Sequence, residues 1–98
     1  MNVGSLDDVR LNIDRLDREI IGLMAERGTY VQAAAKFKIS SADVEAPKRV
    51  EQVITKVRAI AEESGLEPSV AEAAYRAMIA AFIQIEHKAF ETHKAAAD

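Results

Sequence analysis

Apolar residues recur along the first third of the chain at alternating steps of four and three. They run Val9, Ile13, Leu16, Ile20, Leu23, then Tyr30, Ala34 and Phe37. One buried helical seam has this spacing. The position that continues the seam between Leu23 and Tyr30 is Arg27. A guanidinium keeps its proton, so a buried one needs an anion from the chain or from a ligand. The seam predicts a first helix from about Leu6 to Lys38. Ser5 and Asp8 form a capping-box-like pair at its start, with Asp7 and Asp8 favourable at the dipole's positive end. Gly22 and Gly28 interrupt the seam without breaking its phase, which favours one continuous helix over the alternative, a kink there that folds the helix back on itself.

The segment Ile39–Ala46 loses the period and reads as a loop. Pro47 suits the first turn of a second helix, whose apolar face is Val50, Val53, Ile54, Val57 and Ile60, and Gly65 is its stop signal. Pro68 opens a third helix reaching about His93. Its stripe is Val70, Ala74, Met78, Phe82 and Ile85, widened by Ile79, Ile83 and Phe90. The fold class is all-α: a three-helix subunit with a very long first helix. Residues 1–98 form a single domain, with 1–4 and 94–98 expected to fray.

A helix of that first length spans about 50 Å at ~1.5 Å per residue. A compact domain of this size is roughly 30–35 Å across. The apolar seam therefore needs a second copy to cover it, and an obligate homodimer with antiparallel long helices is expected.

Composition narrows the function classes. Apolar residues are 49% of the chain and Gly plus Pro number six, which suits a globular helical protein. A net charge of −3 argues against a nucleic-acid binder. With no cysteine there is no disulfide or thiolate site. The N-terminus lacks a basic region and an apolar core, no signal peptide is expected, and no apolar run approaches the ~20 residues of a bilayer span. The expectation is a cytoplasmic protein without a membrane partner. His87 and His93 are six apart and not spaced as a metal pair, so no metal or other cofactor is expected.

Two positions stand out chemically. Helix one carries Arg10, Arg27 and Lys38. Arg10 and Arg27 sit about 25 Å apart along one axis and cannot share a small ligand, although in an antiparallel dimer they can. Arg27 and Lys38, about 16 Å apart, could bracket a metabolite, with Arg49 closing the pocket. Arg10, Lys38 and Arg49 taken singly also fit solvated roles. In helix three, Glu86 has only apolar same-face neighbours: Phe82, Ile83, Ala89 and Phe90. Its carboxyl must pair with a cation, Arg27 or Lys38, or be pushed toward the neutral form by desolvation.

Taken in order, Arg10-x2-Ile13-Asp14-x-Leu16-Asp17, Arg27, Phe37-Lys38 and Ala46-Pro47-Lys48-Arg49-Val50 resemble the all-helical (type II) chorismate mutase family. The last run, Ala61-Glu-Glu-Ser-Gly-Leu66 and the third helix are most similar to its isochorismate pyruvate lyase branch. The resemblance covers about residues 6–93. It implies an intertwined homodimer and a small dianionic substrate, chorismate or isochorismate. By position, Arg27 would grip one carboxylate and Arg10 of the partner subunit the other. Lys38 would donate to the ether oxygen, Arg49 would touch the substrate from the loop edge, and Ile83 would form an apolar wall. Glu86 stands where most members have a glutamine donating to that oxygen, and a glutamate must be protonated to donate. Val50 replaces the glutamate that holds the ring hydroxyl in the commoner mutase branch.

Both reactions are unimolecular. They need a dianion folded into its reactive conformer and negative charge stabilised on the ether oxygen, which arginine forks and fixed donors supply. The expected activity is chorismate to prephenate. Alternatives are an isochorismate pyruvate lyase making salicylate and pyruvate, a mutase acting on the amino analogue of chorismate, and a non-catalytic or partner-activated helical dimer.

Overall fold

The computed structural model describes residues 3–97. Met1, Asn2 and Asp98 lie outside the described residues, as do the side chains of Phe90 and His93. The elements are α1 (Leu6–Ala35), α2 (Ser41–Glu45), α3 (Pro47–Ser64) and α4 (Pro68–Ala97). The fold is all-α. The chain divides into two compact units, Met1–Ala33 and Ala34–Asp98.

The first unit is essentially α1. Asp8 N–H donates to Ser5 Oγ at 3.1 Å and Asp8 Oδ2 accepts from Gly4 N–H at 3.1 Å, so the expected cap forms. The helix runs unbroken through Gly22 and Gly28. Its 30 residues make a rod of about 45 Å. Ile13, Leu16, Ile20 and Leu23 keep 43–65% of their surface exposed.

Two features differ from the sequence reading. Beyond Leu23 the less exposed line is Met24, Arg27, Gly28, Val31 and Ala35, whereas Tyr30 and Ala34 face solvent. A straight helix drifts about 20° per heptad against a 3.5-residue repeat, so the neighbouring row takes over. The helix also stops at Ala35. Phe37 N–H bonds Ala34 O at 3.0 Å and Lys38 N–H bonds Ala35 O at 3.1 Å, a tightened exit turn. Phe37 is 84% exposed and does not belong to the seam.

The second unit holds α2, α3 and α4. Where a loop was expected over Ile39–Ala46, residues Ser41–Glu45 make one helical turn. Ser40 Oγ accepts from Asp43 N–H at 3.2 Å and Asp43 Oδ2 accepts from Ile39 N–H at 3.1 Å. A single turn is too short to show an apolar period, so only this cap could have announced it. Ala46, at φ 39°, ends α2 and turns the chain into α3, which starts at Pro47. At the other end Gly65, at φ 77°, lets Leu66 N–H reach Ala61 O at 2.8 Å.

The short link to Pro68 returns α4 along α3. Their core is built from small and branched side chains at four-residue spacing: Val53, Val57 and Ala61 on α3, and Ala71 on α4, with Tyr75 and Ile79 against them. Ile60, Val70 and Ile85, assigned to apolar faces from sequence, are about half exposed, and Ala74 is also exposed. The contact line runs instead through Ala61 and Ala71, because small residues let the backbones approach. Val44 of α2 is buried to 3% exposure, and α2 packs against α4. Among the described residues no helix is long and apolar enough to cross a membrane.

Candidate active site

Glu86 lies on the face of α4 that carries Met78, Ile79, Phe82 and Ile83, all at least half-buried. It is itself a buried charged residue, with 8% of its surface exposed. Leaving such a carboxylate unpaired would be costly. Lys38 supplies the partner: its Nζ donates to Glu86 Oε2 at 2.6 Å, a charge-assisted hydrogen bond. The two side chains are 20% and 7% exposed. Of the two fates open to Glu86 in the sequence, the structure has the ion pair, and the cation is Lys38. The pair joins residues 48 apart in sequence, one from the turn after α1 and one from the middle third of α4.

Between α2, α3 and α4 lies an open cleft of about 330 Å³ whose lining includes neither Lys38 nor Glu86. Val50 and Ile83 are among its apolar walls, and Glu45, Glu51 and Gln84 are its polar ones. That is the low end of the volume of small-molecule sites. Val50 and Ile83, singled out in the sequence for different reasons, thus share one cavity.

The remaining cations are distributed as follows. Arg49 is exposed in the first turn of α3. Arg10 is exposed near the start of α1, and Arg27 is half-buried in the same helix. The structure therefore brings together Lys38 and Glu86 within the second unit, while Arg10 and Arg27 belong to the first.

Two features were missed in the sequence. The Ser40–Asp43 cap was legible as a Ser-x-x-Asp spacing. The contact between His87 Nε2 and Glu45 Oε1, at 3.4 Å, links α4 to α2 and had no sequence signal.

The described chain is thus all-α, with a buried lysine–glutamate pair and a cleft of mixed polarity in its second unit. The family model described as chorismate mutase type II matches residues 9–87. The chain is 35% identical over 92 residues to isochorismate pyruvate lyase of Pseudomonas aeruginosa, covering 94% of this chain and 91% of that protein. The chain belongs to the type II chorismate mutase family.

Proposed function

We propose that this chain is a chorismate mutase-type pericyclic enzyme that binds a chorismate-like dianion and promotes cleavage of its ether C–O bond. The observation that carries the reading is the Lys38–Glu86 pair: two groups able to face an ether oxygen, held 2.6 Å apart in a nearly dry setting. Lys38 donates to that oxygen as negative charge grows on it. Fixed donors in water-poor sites are worth about 10²–10³ in rate. Glu86, once protonated, is the second donor. Arg27 grips one substrate carboxylate and Arg10 of the partner subunit the other, with Arg49 at the loop edge and Ile83 as the apolar wall. The unit that works is a homodimer in which each chain acts as one domain, its long helix covered by the second copy.

The first reading of the reaction is rearrangement of chorismate to prephenate, in which the C–O bond breaks as a C–C bond forms. The second is elimination of pyruvate from isochorismate to leave salicylate. Two observations favour the second. Val50, an apolar residue, lines the cleft beside Ile83, and the relative matched over nearly the whole chain carries the lyase name. The experiment is a parallel assay of the purified protein on chorismate and isochorismate, following prephenate, salicylate and pyruvate. Prephenate formed with much the higher kcat/KM establishes the mutase. Salicylate with equimolar pyruvate establishes the lyase. Turnover of neither overturns the reading.

A further inference from the structure

Lys38 is central to the proposed chemistry, yet its backbone belongs to no helix. Upstream it is held by the exit turn of α1, through Lys38 N–H to Ala35 O at 3.1 Å. Downstream, the next amide, Ile39 N–H, is held by Asp43 Oδ2 at 3.1 Å. Asp43 in turn gives its own N–H to Ser40 Oγ at 3.2 Å. The same reciprocal arrangement, Ser5 with Asp8, opens α1, where a helix of 30 residues follows it. Here it opens a helix of five residues. Isolated helices below about 12–15 residues do not hold in water, so α2 depends on its cap and on what it packs against. Val44, 3% exposed, packs it down, and the Glu45–His87 contact at 3.4 Å fastens it to α4 next to Glu86. A continuous path thus runs from α4 through α2 and Asp43 to the amide beside Lys38.

We infer that Asp43 is a positioning residue: by capping Ile39 N–H it fixes the backbone from which Lys38 reaches Glu86, and hence the place of the Lys38 ammonium in the reaction. The inference rests on the proposed role of Lys38.

The test uses the full-length protein and the variants Asp43→Ala, Asp43→Asn, Lys38→Met and Asp43→Ala/Lys38→Met, assayed with whichever substrate the wild type converts. Loss of a helix cap corresponds to a factor of about ten in population. Asp43→Ala should therefore lower kcat about tenfold while KM moves much less. Asp43→Asn keeps an oxygen for Ile39 N–H and should stay within about twofold of the wild type. In the Lys38→Met background, Asp43→Ala should cost nothing further. Equal impairment of the Asn and Ala variants, or an Asp43→Ala loss as large without Lys38 as with it, overturns the inference.

If the wild type converts neither substrate, the functional reading has failed. Asp43 is then judged by NMR: its loss should speed exchange of the Ile39 amide and shift the Lys38 ammonium resonance. An unchanged Lys38 resonance in Asp43→Ala overturns the positioning role by itself.

Discussion

At the residue scale, Glu86 is buried and takes its cation from a turn 48 residues away. Removing one member of a buried ion pair leaves the other desolvated and unmatched, at about 3–5 kcal/mol for full burial. Lys38 is one-fifth exposed, so water replaces part of what it gives. Lys38→Met should therefore destabilise the protein by roughly 1–3 kcal/mol, read from chemical denaturation. Lys38→Met combined with Glu86→Leu should recover much of that. A second expectation concerns chemistry. If Glu86 acts as a hydrogen-bond donor to the ether oxygen, Glu86→Gln, which presents an N–H donor there, should keep most of kcat, whereas Glu86→Leu should lower it about 10²-fold. Equal kcat in the Gln and Leu variants would show that Glu86 is not a donor.

Glu86 was legible in the sequence because its helical neighbours are apolar at every nearby same-face position. The identity of its partner was not. Arg27 and Lys38 were equally eligible, and only the end of α1 at Ala35, with the turn after it, directs Lys38 toward α4.

At the element scale, α3 and α4 are clamped by a surface network as well as by their core. Arg76 grips Glu51 through both terminal nitrogens at 2.9 Å and donates from Nε to Glu72 at 2.8 Å, while Arg58 reaches Glu72 at 2.7 Å. The pairing of 51 with 76 and 58 with 72 is that of antiparallel helices. The hydrogen bonds from Arg76 hold Glu51 and Glu72 below the ordinary carboxylate value of 4.5, with Arg58 adding to the effect on Glu72. The unfolded chain therefore binds protons more readily than the folded one. The clamp's contribution is present above pH 4.5 and is lost as pH falls through the lowered values. Arg76→Ala should lower Tm at pH 7, and the difference from wild type should shrink as the pH falls below 4.5 through the lowered values. A difference that stays constant into strong acid would rule the clamp out.

Ala46 offers a gain instead. Its φ of 39° is costly for a side chain with Cβ and free for glycine. Ala46→Gly should raise stability by up to about 1 kcal/mol, the left-handed strain outweighing glycine's entropy. Helix starts and stops marked by Ser5, Pro47, Gly65 and Pro68 could be read directly, since each is a local chemical signal. The centre of the α3 face could be read as well, since Val53, Ile54 and Val57 are buried as expected, but the edges of the contact could not. Hydrophobicity points to Ile60, Val70 and Ile85, while close packing selects Ala61 and Ala71.

At the scale of the whole molecule, α1 presents Ile13, Leu16, Ile20 and Leu23 largely to solvent. Contiguous apolar surface of this kind marks an association site. A seam repeated along a 30-residue rod suits a second copy of the same rod. Analytical ultracentrifugation at micromolar concentration should give twice the chain mass. The Tm should fall on dilution, as mass action requires of an obligate dimer. Leu16→Glu with Ile20→Glu should abolish the dimer and substrate turnover together, because Arg10 of the partner subunit is then lost. A monomer with a concentration-independent Tm would contradict the assembly. The expectation of a partner rests on the seam's length alone. The site was less so, because Lys38 is set by a turn and a one-turn helix that carry no apolar period.

The most direct measurement is turnover of chorismate and isochorismate by the purified wild type and by Lys38→Met, side by side and with equal folded fractions. At least one substrate should be converted, to prephenate or to salicylate and pyruvate, and kcat should fall about 10²-fold or more without the lysine. No conversion of either substrate, or equal kcat in both proteins, would contradict the proposed function.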